Sequence, residues 1–396
     1  MAAALDNIKV VDLTRTLAGP FCTMLMGDMG AEVIKIEEPT GGDETRKWTP
    51  FVNGESTQFL TFNRNKRSLS VNLKDPEGLK IVKDLAADAD VMIESFRAGS
   101  LDRLGLGYEA IKEVNPGVVY CSISGYGRTG PMADMPGYDL LIQAYSGLMS
   151  LTGEPDGSPL RIGFSLVDLF TGMMAYGTIL TALRQRDQTG KGQWVESALL
   201  DGQVAALSYH ATGFMGTGVE PKRMGSGHPS LVPYQSFSGS DGQFIVGCAN
   251  QGLWERMCRA IGKDAMLDDP RYTTNTDRVE YRADCVGELS ALFSQETTSH
   301  WVGLIVEAGV PCGPINTVSD VVSNPQVLAR NMIAEVDHPK VPNLRFPASP
   351  LKLTDSPATI RRVPPLLGQH NEEILEEAGY SPEKIADLKE RGVLGS

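Results

Sequence analysis

The chain has 396 residues, 41% hydrophobic and 21% charged, enough for a sizeable core shared between two or three domains. A formal net charge of −13 argues against nucleic acid or an anionic membrane face as the main partner, and it makes local clusters of Lys and Arg informative. Six scattered cysteines without a CxxC pair and five histidines without an HExxH spacing give no metal site and no disulfide framework.

In chain order, "IKVVDL" (8–13) predicts a strand, "TRTLAGP" a turn, and the apolar run behind it a helix to about Met29. "GAEVIKIEEP" (30–39) predicts a second strand, and "SLSVNLK" (68–74) a third by its alternation. "DPEGLKIVKDLAADA" opens a helix with Asp75 as N-cap and Pro76 at the first helical position. "DVMIES" and "GVVYCSIS" predict two further strands around a helix in "LGLGYEAIKEVNP". Strands alternating with helices predict a Rossmann-like α/β layer with a parallel sheet. The turn "TRTLAGP" has one glycine, followed by proline, so it lacks the phosphate loop of a dinucleotide-binding unit and excludes NAD as the ligand.

The longest apolar stretch, Val167 to Leu183, carries threonine and glycine interruptions and ends in "RQRDQ", which predicts a buried helix and no membrane span. Residues 1–211 form the large α/β domain in this reading. Gly, Ser and Pro then mark 212–230 as a linker or active-site loop. Residues 231–325 form a smaller α+β domain, and 326–396 a linker and C-terminal segment returning to the large domain. No leader follows Met1, so a cytoplasmic location is expected, with a mitochondrial or peroxisomal one also open.

Three clusters are candidates for chemistry. Arg46 and the run Arg64, Lys66, Arg67 and Lys74 suit a polyanion such as a nucleotide phosphate, or equally a solvated strand edge. "ESFRAGSLDR" sets Phe96 beside Arg97, with Arg103 beyond, a pattern that stacks a heterocycle and meets its phosphate, or merely links a strand to a helix. "SGYGRTGPMADMPGYD" is rich in glycine and carries Tyr138, a hydrogen-bond donor for a site or a core ring. Asp168 opens the long apolar helix. It is either a helix cap or a carboxylate available to attack an acyl carbon. Gly227 and His228 lie in "GHPSLVPYQSF", which offers amide donors or is a plain linker.

Taken in order, "VVDLTRTLAGPFCTMLMGDMGAEVIKIEEP", "GDETR", "NRNKRSLSVNLK", "ESFRAGSLDRLGLGY", "SGYGRTGP", "PGYDLLIQAYSGLMSLTG", "VDLFTGMMA", "TGKGQWVESALLDG" and "GHPSLVPYQSF" resemble the family III CoA-transferases over essentially the whole chain. The resemblance implies that Asp168 is acylated by a donor acyl-CoA, passes through a mixed anhydride and an aspartyl-CoA thioester, and hands CoA to a free carboxylic acid. It implies that Phe96, Arg97, Arg103, Arg64, Lys66 and Arg67 meet CoA and that Leu199 lines the pantetheine channel. It also implies that the loop 225–230 covers the site and that two chains interlock as a homodimer. Coenzyme A is substrate here, with no tightly bound cofactor, metal, nucleic acid or membrane partner expected. Glu38 departs from members with an arginine there, leaving Arg46 as the replacement, and Leu17 departs from formyl-CoA transferases, so oxalate or formate specificity does not follow. Arg128 and Arg161 are candidates to pair with the second carboxylate of a dicarboxylic acid.

Two rivals stand beside this reading. An α-methylacyl-CoA racemase needs two acid/base groups across an α-carbon, and Tyr138, with an ordinary phenol pKa near ~10, is a poor base. A CoA-binding scaffold without turnover has no use for Asp168.

Overall fold

The computed structural model of the protein describes residues 3–395. They fall into two compact units, one of residues up to 148, 161–218 and 328 onward, the other of 149–160 and 219–327.

In the larger unit, β1 (Lys9–Leu13), α1 (Ala18–Asp28), β2 (Glu32–Glu37), β3 (Lys66–Ser70), α2 (Pro76–Ala87), β4 (Val91–Glu94), α3 (Tyr108–Val114) and β5 (Val119–Ser124) follow in sequence. Then come α4 (Asp139–Tyr145), α5 (Leu166–Thr189), β6 (Gln193–Ala198), α6 (Leu199–Ala206) and α7 (Ser208–Thr217). The six strands form one sheet in the order β3-β2-β1-β4-β5-β6, every neighbouring pair parallel. This is the doubly wound, Rossmann-like order that the alternating pattern predicts. Strands buried on both faces need continuous apolar runs, and "VVDL", "VMIE" and "VYCSIS" supply them. Asp75 caps α2 by accepting the Glu77 amide at 2.8 Å.

Helix α5 is long and apolar enough to cross a membrane by length and composition. Here Val167, Thr171, Ala175, Ile179 and Ala182 form a buried stripe repeating every three to four residues. Val167, Ala175, Ile179 and Ala182 share one core with Ala18, Cys22 and Met26 of α1. Gly172 on that stripe lets α1 approach closely, since a Cβ there would lie 2.5 Å from the Ala18 carbonyl oxygen.

The sequence pattern differs from the structure in three places. Strand β3 starts two residues before the alternating segment, so Lys66 and Arg67 are buried strand residues. Residues 212–217, read as linker, belong to α7, where Gly213 and Gly216 face open space. The segment 149–160, placed by its position in the large domain, groups with the smaller unit.

The smaller unit contains β7 (Tyr234–Ser238), β8 (Gln243–Gly247), α8 (Gln251–Ala260), α9 (Arg282–Phe293), α10 (Thr298–Glu307) and β9 (Cys312–Pro314). Its three strands are antiparallel in the order β9-β8-β7, over a core rich in aromatic rings that includes Phe237, Phe244, Trp254, Phe293 and Trp301.

The C-terminal segment returns to the larger unit with α11 (Asn371–Glu377) and α12 (Pro382–Glu390). Ile374, Leu375, Ile385 and Leu388 enter the core beside Leu69 and Ile81. The segment also covers the open edge of β3. His370 N donates to Ser68 O at 3.1 Å, Gly395 N to Ser70 O at 3.1 Å, and Asn371 Oδ1 accepts from Ser70 N at 2.8 Å.

Candidate active site

In a doubly wound sheet, a crevice opens where the strand order reverses, outside the carboxyl ends of the strands on either side. Here the reversal lies between β1 and β4. The segments after them, 15–19 and 95–98, line a cleft of about 240 Å³ together with 123–125 at the end of β5, 133–138, Glu44, Asp168 and Leu199.

Asp168 is the third residue of α5, whose N-terminal neighbour Ser165 makes no side-chain cap. The cap comes from Asp139 in the first turn of α4. Its Oδ2 accepts the amides of Val167 at 2.9 Å and Asp168 at 3.3 Å, while Oδ1 accepts from Gln143 Nε2 at 2.6 Å. Gln143 Oε1 in turn accepts the Ile162 amide at 2.8 Å. Capping is therefore delegated to another helix, and the cap reading of Asp168 is set aside. Burial, then the neighbouring negative Asp139, pushes the Asp168 carboxyl up to about 7 from its ordinary 3.8. A helix N-terminus favours the ionised form of a carboxyl, and burial outweighs that pull here.

Facing it is the start of α1. Asp168 and Gly172 are one turn apart on one face of α5, and Gly172 rests on Ala18. Leu17, which flanks α1, supplies no side-chain cap. Ala18 and Gly19, in the first turn of α1, line the cleft that holds Asp168.

The loop leading into α1 is tightly fixed. Thr16 adopts φ 74°, rare for a β-branched residue. Its amide donates to Asp43 Oδ2 at 3.2 Å, and the Lys35 ammonium bridges Asp43 Oδ2 at 2.8 Å and the Thr14 carbonyl at 3.0 Å. Lys66 completes this buried network, donating to Asp12 at 3.2 Å, to the Pro20 carbonyl at 2.9 Å and to Asn63 at 3.0 Å. Burial lowers the Lys66 ammonium to about 8.

The cleft gathers Phe96, Arg97, Tyr138, Asp168 and Leu199 from the residues singled out in the sequence. It does not gather the cationic run. Arg64 is fully buried and forks onto Asp28 at 2.8 and 2.6 Å. Arg67 is held by Glu32, Glu373 and Glu377. Arg46 pairs with both oxygens of Glu37 at 2.7 Å and lies 3.6 Å from the Phe59 ring centre. Each cation is paired where it stands, and moving Arg46, Arg64 or Lys66 onto a phosphate would leave a buried carboxylate unpaired. Arg103 is exposed beside Ser100 and is not among the residues lining the cleft. Arg128 is buried against Glu94, and the exposed Arg161 donates to the Ile162 carbonyl at 3.0 Å; neither lines the cleft. Gly227 and His228 belong to the smaller unit, where the His228 amide donates to Tyr234 O at 3.1 Å and Nδ1 accepts from Ser230 N.

Two residues placed at the site by the structure escaped the sequence reading. Arg15 lines the cleft, half exposed, 5.1 Å from the Phe96 ring centre and 3.6 Å from Glu44. Its signal was its place directly after the strand at the reversal. Asp139 lies in "PGYDLL", next to the tyrosine that drew notice, but its partners are nearly thirty residues away.

A half-buried carboxyl with a raised pKa, in a cleft at the switch point of a doubly wound sheet, is the candidate active site of an α/β enzyme. The comparisons give that class its family. Residues 5–371 match the model of CoA-transferase family III, and the chain belongs to that family. It is 46% identical to a mouse (Mus musculus) protein named succinyl-CoA:glutarate CoA-transferase, over 98% of this chain and 90% of the mouse protein. It is 39% identical to a succinate–glutarate CoA-transferase of Agrobacterium fabrum, over 94% of this chain and 95% of that one. The fold matches a CaiB/BaiF family protein of Brucella suis with a TM-score of 0.85 and 40% identity, covering 96% of this chain and all of that one. The protein is thus a CoA-transferase acting on acyl-CoA. The racemase and scaffold readings fall away.

Proposed function

We propose that the protein moves CoA between dicarboxylic acids of the succinate and glutarate type, with Asp168 as the covalent carrier. The reading rests on one observation: a half-buried carboxyl, relieved of capping by Asp139, shares a cleft with the first turn of α1. An Asp168 oxygen attacks the thioester carbonyl, and the C–S bond breaks to give a mixed anhydride and CoA thiolate. The thiolate attacks the aspartyl carbonyl and releases the donor as its free carboxylate. The acceptor carboxylate then attacks the aspartyl-CoA thioester, and the thiolate closes the cycle on the acceptor's carbonyl, regenerating Asp168. No water enters and no net proton moves. Each tetrahedral oxygen takes up charge in turn, and the amides of Ala18 and Gly19 are the donors for it. The dicarboxylate preference is supported by the names of the two relatives above.

With succinyl-CoA and labelled glutarate, mass spectrometry should find labelled glutaryl-CoA. Hydroxylamine added during turnover should convert Asp168 to its hydroxamate. CoA exchange at full rate with Asp168 never modified would sink the mechanism.

The same proposal includes a homodimer. Helices α5–α7 expose Met173, Met174, Val204, Phe214 and Met215, the last 76% accessible, more apolar surface than an isolated chain usually leaves to water. Light scattering should give twice the 42.8 kDa of the chain, and Met215→Asp should shift it toward the monomer. A monomeric mass for the unaltered protein at micromolar concentration refutes this part.

A further inference from the structure

We propose that the buried Glu94–Arg128 ion pair is a positioning element for coenzyme A, setting the spacing between two walls of the cleft without touching the ligand. This rests on the reading of the cleft as the CoA site.

Glu94 ends β4 and is 2% exposed. One carboxylate oxygen, Oε2, accepts the Phe96 amide at 2.8 Å, which fixes the start of the segment carrying Phe96 and Arg97. The other, Oε1, takes the Arg128 guanidinium, whose side chain is only 10% exposed. Arg128 rides on the excursion 125–137. The two ends of that loop touch, since a Cβ on Gly125 would lie 2.6 Å from the Gly137 Cα, which glycine alone permits. Gly125, Gly137 and residues 133–136 line the cleft on one side, and Ser95 to Ala98 line it on another. A single carboxylate therefore ties both walls together.

The pair itself faces away from the cleft. Glu94 and Arg128 line a neighbouring cavity of about 270 Å³ with Trp194, Tyr108 and Ser122, and Ala98 is the wall between the two spaces. The indole of Trp194 donates to Ser122 Oγ at 3.0 Å, closing that side. Burial is the main influence on Glu94 and raises its carboxyl above the ordinary value even with Arg128 beside it. Arg128 is thus what makes an ionised Glu94 tolerable, and losing either partner alone costs more than losing both.

This asymmetry gives the test. Free CoA binding is measured by calorimetry, and steady-state kinetics are run on each variant. Arg128→Met should raise the CoA Kd and the acyl-CoA KM about tenfold, with kcat at saturation within twofold of the parent. Arg128→Lys should recover most of the affinity. The double variant Glu94→Gln/Arg128→Met should bind CoA more tightly than Arg128→Met alone. An unchanged Kd in Arg128→Met, or a fall in kcat with no change in KM, overturns the proposal. Arg97→Ala separates this from the reading beneath it. If Arg97→Ala leaves CoA affinity intact, the cleft is not the CoA site; if it weakens CoA while Arg128→Met does not, only the positioning role is lost.

Discussion

Asp168→Asn should abolish transfer and, at the same time, make the protein harder to unfold above neutral pH. The kinetic loss is on the order of 10⁴-fold or more, the scale of removing a covalent nucleophile, because an amide cannot form the anhydride. The gain in stability follows from the raised carboxyl. Below its ordinary value of 3.8, Asp168 is protonated in folded and unfolded chains alike, and its ionisation costs nothing. Between 3.8 and about 7 the folded chain keeps a proton that the unfolded chain has released, so stability falls as pH rises. Above 7 the folded chain carries an ionised carboxylate at the full cost of burying it beside Asp139. Each pH unit is worth about 1.4 kcal/mol, so the shift from 3.8 to about 7 puts the relief at pH 8 at no more than about 4 kcal/mol. Thermal melts of parent and Asn variant should therefore diverge at pH 8 by a few degrees and converge toward pH 4. Equal melts at both pH values would show that Asp168 is not a strained charge, and retained turnover would remove it from the chemistry altogether.

The sheet was legible because its strands are buried on both faces: "VVDL", "VMIE" and "VYCSIS" admit no other placement. Strand β6 was not read as one because "QWVESA" is an edge strand, half exposed and mixed in polarity. The charges were the hardest to read. Arg64, Lys66 and Arg67 look solvated in a local window, yet their carboxylates come from Asp28, Asp12 and, some 300 residues on, Glu373 and Glu377. Local spacing holds no information about a partner that far along the chain. Asp168 itself was visible as a carboxylate out of place in an apolar run. What makes it available, the cap donated by Asp139, is a tertiary contact and left no mark on the spacing.

Asp139 thus does two opposed things to Asp168, and replacing it should separate them. Its carboxylate accepts three donors: two amides of α5 and the Gln143 side chain. Asparagine offers one acceptor oxygen in their place. Whichever way it turns, its NH₂ meets a donor, because Gln143 Oε1 is already committed to the Ile162 amide. Asp139→Asn should therefore lose about 1–3 kcal/mol of stability. Its negative charge is also the second cause, after burial, of the raised Asp168 carboxyl. Without it, Asp168 ionises at lower pH, so the acid limb of kcat/KM, expected near 7 in the parent, should move down by about one unit. A variant of lower stability would then be the better nucleophile at pH 6, its kcat/KM there rising relative to its own plateau. A limb that stays at 7 means that the charge on Asp139 does not reach the nucleophile, and a limb that moves upward means that the capping contact, and not repulsion, governs how readily Asp168 gives up its proton.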